Sequence, residues 1–209
     1  FIGIDASMTN DNTAFGMIFP YKKGKFHIEQ YSFIPFAQAK SIEAKEIQDN
    51  LNYCELAREG FCEITSNPSG TINYDQIWDW LERYISSNEL NLKAIVVDPA
   101  FLTWFAKRVE NYEPDWPYIP FKQTSLQINQ PTKGLQKAYI DGIVTQIKDP
   151  LLIDGLNNAI MVTDKGGMVK IDRQNRVSQH IDTADAVINA WSQAQNYYED
   201  FNDGEDTKL

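Results

Sequence analysis

The chain has 209 residues, 43% of them apolar, enough to bury the core of one globular domain of α/β type. Its formal net charge of −10 at pH 7 argues against generic nucleic-acid binding, which ordinarily shows as a basic field. No run approaches the ~20 apolar residues of a membrane span, and the opening "FIGIDAS" carries neither the charged leader nor the cleavage site of a secretion signal.

The chain starts at Phe1, directly inside a strand pattern, so a piece of a longer protein is expected. Cys54 and Cys62 have no second pair or histidine cluster near them, which excludes a cysteine zinc site on spacing and leaves two reduced thiols. Part of the charge is local: the tail 199–209 carries five acids against Lys208, a net of −4, and reads as a disordered end. The rest includes any carboxylates gathered around metal, whose charge divalent ions would cancel. Bases cluster in "KKGK" (22–25), read as a solvated turn, and in 165–176, where Lys165, Lys170, Arg173 and Arg176 stand against Asp172.

Residues 1–7, 13–20 and 25–34 cluster β-branched and aromatic residues between turn compositions, which predicts a three-stranded antiparallel meander. From 37 to 60 the pattern is helical and interrupted, ending at Gly60, and "FCEIT" follows as a short strand. "INYDQIWDWLERYI" (72–85) is an amphipathic helix with Asn73 and Gln76 as a capping-box start. It leads into "LKAIVVDP", a strand buried on both faces as in a helix-covered parallel sheet, closed by Asp98 and Pro99. A helix at 101–110, a strand at 118–123 and a helix at 131–144 come next, then a helical turn and a hairpin around Lys165, Gly166 and Gly167. The last helix spans about 182–198. The order implies a mixed sheet between helices, and no internal repeat is visible.

Three aspartates stand at element boundaries. Asp5 lies inside the first strand, where an acid is costly unless paired, hydrogen-bonded or bound to a cation. Asp98 ends the candidate neighbouring strand, and ligands of such sheets sit beyond strand carboxyl ends. Asp182, with Asp185 three residues on, opens the last helix. Each has a plain structural reading too: Asp98 as a turn starter, Asp182 as a helix cap. Together they predict a site of hard oxygen ligands suited to two Mg2+ or Mn2+ ions and to phosphodiester hydrolysis. An actin-like or sugar-kinase first strand would also carry an aspartate, but "ASMTNDN" lacks the glycine of that turn, and no GxxxxGK[ST] phosphate loop occurs.

The stretches "GIDAS…NDNTAF", "YCELAREGFCEIT…GTINYDQIWDWL", "AIVVDPAF", "FKQTSLQINQPTKGLQKAYIDGIV", "DPLLIDGLNNAIMV" and "HIDTADAVINAW", in this order and spacing, resemble the nuclease domain of the large terminase subunit of tailed bacteriophages and prophages. The resemblance implies an RNase H-like α/β fold over 1–198, with a mixed five-stranded central sheet flanked by helices and an added hairpin near 160–172. It implies a two-metal endonuclease that cuts concatemeric double-stranded viral DNA during packaging. Asp5, Asp98 and Asp182 match the family's acids, Asp185 becomes a further ligand or its partner, and Asp11 matches an acid commonly found after the first strand. Lys165, Lys170, Arg173, Arg176, Lys133 and His180 become candidate DNA contacts, and Gln123 lies in a matching stretch that approaches DNA or serves the fold. Relatives carry an upstream ATPase domain with Walker motifs, so that domain, the small terminase subunit, the portal and the cytoplasm of an infected or lysogenic bacterial host are the implied setting. A transposase or junction resolvase of the same fold, or a non-cutting domain that binds DNA or portal, are the alternatives.

Overall fold

Alternation along the first strand decides the architecture. In the computed structural model, which describes residues 1–6, 11–173 and 179–197, β1 (Ile2–Asp5), β2 (Thr13–Lys22) and β3 (Lys25–Ile34) form the expected antiparallel meander, with Ile4 opposite Phe15 and Ile18 opposite Ile28. Gly24, at φ 68°, makes the turn into β3, a conformation glycine adopts without a Cβ clash. "KKGK" is thus a turn, at the end of β2 away from Ala14, the partner of Asp5.

α1 (Ile42–Asp49) and α2 (Tyr53–Arg58) divide the interrupted helical stretch, and β4 (Cys62–Ile64) follows. α3 (Tyr74–Ser87) is capped by Asn73, whose side chain accepts from the amides of Asp75 and Gln76. The Gln76 amide group turns instead to Glu63 and the Ile64 carbonyl, so the box is only half made. β5 (Ile95–Val97), α4 (Pro99–Tyr112), β6 (Tyr118–Pro120), α5 (Ser125–Ile140), β7 (Val144–Gln146), α6 (Pro150–Asn158), the hairpin β8 (Ala159–Thr163) with β9 (Val169–Arg173), and α7 (Asp182–Ala194) complete the chain order.

The five-stranded core β3-β2-β1-β5-β6 is as expected, with β5 parallel to β1 and to β6. Two three-residue strands raise the sheet to seven: β4 pairs with the end of β3 at 32–34 and β7 with its start at 26–28. β3 is ten residues long, and its outer edge would otherwise present unpaired backbone groups. α5 also departs from expectation, since it begins at Ser125 and keeps Pro131 inside. An interior proline costs a helix roughly 3 kcal/mol; burial of Ile128 in the first turns and of Leu135 beyond offsets it.

Side chains alternate across the sheet into two cores. Ile2, Ile4, Phe15, Met17, Ile95 and Val97 pack with Trp78, Leu81, Phe101 and Phe105 of α3 and α4. Ile18 and Ile28 face the other way, against Leu135, Leu152, Val187 and Trp191 of α5, α6 and α7. The β8-β9 hairpin stands apart as its own sheet, tied to α5 where Val169 N donates to Asn129 Oδ1 at 2.8 Å.

Candidate metal centre

With Ile2 and Ile4 committed to one core, strand alternation turns Gly3 and Asp5 to the opposite face, where α7 lies. A Cβ on Gly3 would stand 2.1 Å from the Ala186 carbonyl oxygen, and one on Gly16 2.5 Å from Val187 N, so only glycine lets α7 sit directly on β1 and β2. Asn189 pins the contact by donating to the Ile4 carbonyl at 3.1 Å. In β5 the register sets Ile4 beside Val97, so the next residues along, Asp5 and Asp98, are neighbours at the carboxyl ends of two parallel strands. The main chain of Asp98 also starts α4, its carbonyl accepting from Phe101 and Leu102 at 3.1 Å. The turn-starting and site roles of that residue coexist.

Asp182 and Asp185 both lie in the first turn of α7, near enough for their charges to act on Asp5. Burial raises the Asp5 pKa well above its ordinary value, and the nearby charges of Asp185, Asp182 and Asp98, in that order, raise it further. Gln123, which donates to Asp5 Oδ1 at 3.3 Å, pulls the other way. Burial, then Asp182, push Asp185 up to about 7, against the pull of Arg173 and Lys170. Protein packs closely around both acids, yet each keeps an intermediate accessibility, as a site that exchanges ions with solvent requires. Carboxylates crowded in this way repel one another as bare anions and are well matched to hard cations.

Asp182 is not the helix cap. Ile181 holds that position and no side-chain cap bond forms, so Asp182 is the first helical residue. Its Oδ2 is buried without a hydrogen-bond partner, 3.3 Å from His180 Nδ1 at an ion-pair distance without hydrogen-bond alignment. On the other side of the ring, His180 Nε2 is 2.9 Å from Asp49 Oδ2. Asp49 also takes Lys45 Nζ at 2.9 Å and the Tyr53 hydroxyl at 2.8 Å. Burial opposes charge on His180, but Asp182 and Asp49 outweigh it and push its pKa up to about 9. Burial likewise disfavours the Asp49 anion, but His180 and Lys45 hold that acid below its ordinary value.

The model of the terminase large subunit endonuclease domain matches residues 1–197. The chain belongs to this family. Its structure is similar to the large terminase of bacteriophage HK97, with TM-score 0.81 and 21% identity over 92% of this chain and 38% of that one. It is similar to the magnesium-bound large terminase nuclease of thermophilic phage G20c, with TM-score 0.54, 18% identity and coverage of 92% and 79%. The Thermus phage P74-26 large terminase nuclease domain gives TM-score 0.52 and 18% identity over 92% of this chain and 77% of that one. No curated protein sequence gives a significant match. At these identities the likeness establishes the fold, the RNase H-like one expected.

Within this terminase fold the other sequence candidates fall into three places. Lys170 and Arg173 lie on β9, close enough to lower the pKa of Asp185, and Arg173 pairs with Asp11 at 3.4 Å. Lys165 is exposed at the hairpin turn, the end away from Arg173, and Lys133 is exposed on α5. Arg176 and the tail 199–209 lie outside the described residues. His180 is 8% exposed, and both its ring nitrogens face carboxylates, Asp49 and Asp182. Gln123 touches Asp5 itself. Lys45, Asp49 and Tyr53 carried no signal in the sequence, because a Lys and an Asp four residues apart read as a solvated helix face.

Proposed function

We propose that the domain is a metal-dependent endonuclease cutting concatemeric double-stranded viral DNA during genome packaging, with Mg2+ or Mn2+ held by Asp5, Asp98, Asp182 and Asp185. The observation that carries the reading is the buried Asp5 at the end of β1, beside Asp98 at the end of β5 and within reach of the charges of Asp182 and Asp185 in the first turn of α7. Asp182 Oδ2, buried and without a hydrogen-bond partner, is an oxygen of the kind a divalent cation takes. When bound, two divalent ions supply a water of lowered pKa and neutralise charge on the scissile phosphate and its leaving 3' oxygen. The chain's own part is to hold the oxygens: Gln123 orients Asp5, and the Gly3, Gly16 and Asn189 contacts fix the approach of α7. Lys170 and Arg173 flank the cleft as backbone phosphate contacts, with Lys165, Lys133 and Arg176 further out, giving salt-dependent binding with little sequence preference.

In the whole protein an ATPase domain, the small terminase subunit and the portal are the partners, in the cytoplasm of the bacterial host. The test is Asp5→Asn. Metal-dependent cleavage of plasmid DNA is expected to vanish while the circular dichroism spectrum is unchanged. Undiminished cleavage would overturn the reading, and preference for branched over linear duplex would move it to a resolvase.

A further inference from the structure

The His180 ring carries an arrangement that an oxygen-only centre leaves unused. His180 Nδ1 and Asp182 Oδ2 are both buried and without hydrogen-bond partners, although they face each other at 3.3 Å. Asp11 joins them from the more open side, and the three residues offer ligand atoms that all lie within 4.8 Å of one another. Two ligands bound side by side on one octahedral ion at about 2.1 Å each stand roughly 3 Å apart, near the spacing of the His180 and Asp182 atoms.

The remainder of the network suits a ligating imidazole. Asp49 Oδ2 stands 2.9 Å from His180 Nε2 and Lys45 Nζ 3.3 Å from the same nitrogen; an ion at Nδ1 requires the neutral ring with its proton on Nε2, and Asp49 is the acceptor placed to hold that proton there. Asp49 is itself fixed by Lys45 at 2.9 Å and by the Tyr53 hydroxyl at 2.8 Å. Lys45 also balances its charge, so that the buried carboxylate orients the ring without needing the ion. Asp11, whose side chain is 40% exposed beside Arg173, leaves an entry path.

We infer that His180 Nδ1, Asp182 and Asp11 form a mixed nitrogen–oxygen site for a first-row divalent ion such as Mn2+ or Co2+, oriented by the Asp49–Lys45 pair. Imidazole is a good ligand for such ions and a poor one for Mg2+, so this position selects among metals where the Asp5 cluster does not. The inference rests on the metal-nuclease reading in one respect, since Asp182 is shared between the two positions.

The probe is Mn2+ alone, titrated into the 209-residue chain and followed by pulsed electron paramagnetic resonance. A directly coordinated 14N coupling is expected in the unsubstituted chain. The chain has two histidines, and His27, engaged with Thr145 and Glu29 on β3, serves as control. The coupling is expected to persist in His27→Gln and to disappear in His180→Gln, with one Mn2+ site weakened at least about ten-fold. In Asp5→Asn it should survive while cleavage is lost. Bound Mn2+ without nitrogen coupling in the unsubstituted chain, or coupling that survives His180→Gln, overturns the inference. Nitrogen coupling in a chain that cuts no DNA overturns only the nuclease reading, and absence of any Mn2+ binding overturns both.

Discussion

Gly3→Ala tests whether the backbone contact between β1 and α7 sets the centre. The added methyl would stand 2.1 Å from the Ala186 carbonyl oxygen, 2.4 Å from Ala190 N and 3.0 Å from Asn189 Cβ. The two nearest obstacles are backbone, so no rotamer change relieves the clash. Ordinary contact begins at 3.4 Å, so α7 must withdraw by about 1 Å. Overpacking of this kind costs about 1–3 kcal/mol, and a backbone obstacle puts this case at the upper end. For a chain of this size each kcal/mol moves Tm by about 2–4 °C, so a fall of about 5–10 °C is expected by differential scanning fluorimetry. Because α7 carries Asp182 and Asp185, the same displacement should lower plasmid cleavage by about 100-fold at a temperature where the variant is still folded. Gly16→Ala should behave alike. A Gly3→Ala chain that melts within about 1 °C of the parent and cuts DNA normally would refute the idea that this contact aligns the acids.

Metal and pH should be linked. Asp5, Asp185 and His180 all have folded pKa values above their unfolded ones, with Asp185 near about 7 and His180 near about 9. Each therefore contributes stability that is present at low pH and lost as pH rises through its folded value. In EDTA the melting temperature should fall between pH 5.5 and 9, a window in which Asp49, whose pKa is lowered, stays ionised. Mg2+ should restore more stability at the upper end of that window than at the lower; a rise of Tm with pH in EDTA would contradict this. Asp185→Asn removes a like charge from Asp5, so at pH 8 without metal it should melt above the parent, while its gain from Mg2+ shrinks. A lower Tm there would show that repulsion is not what strains the apo centre. Replacing Lys170 and Arg173 together by Ala should reduce the slope of log affinity for duplex DNA against log salt by about 2, read by fluorescence anisotropy. An unchanged slope removes these bases from the DNA path.

The meander, the doubly buried β5 and the α7 helix were legible because their signals are local: alternation, an unbroken apolar run and a long 3.6-residue period. From those three elements the proximity of Asp5, Asp98 and the first turn of α7 follows by topology alone. Features that depend on distant partners were not legible. β7 is three residues of mixed accessibility, and it is a strand only because β3 is long enough to accept it. α1 is the clearest case. Its Ile47 is 83% exposed while Lys45 and Asp49 are 4% and 8% exposed, the reverse of what side-chain polarity suggests. The helix turns its charged face inward because His180 waits there, 135 residues away from Lys45 in the chain. No windowed pattern can register that separation.

The formal charge of −10 and a DNA substrate are reconciled by where the acids sit. On the proposed function, an ion-free cleft presents clustered carboxylates and repels phosphate at close range, whatever Lys170 and Arg173 contribute from β9. With two divalent cations bound, the charge of the four aspartates is cancelled and the flanking bases set the sign of the cleft. The raised pKa values of Asp5 and Asp185 express the same frustration in the absence of metal: protons occupy what cations would fill. Ion binding and DNA binding are therefore linked, and by reciprocity DNA should tighten the hold on the ions by the factor with which the ions tighten the hold on DNA. On the proposed function, the domain gains its affinity for nucleic acid from its metal, so net charge alone is a poor guide to its substrate.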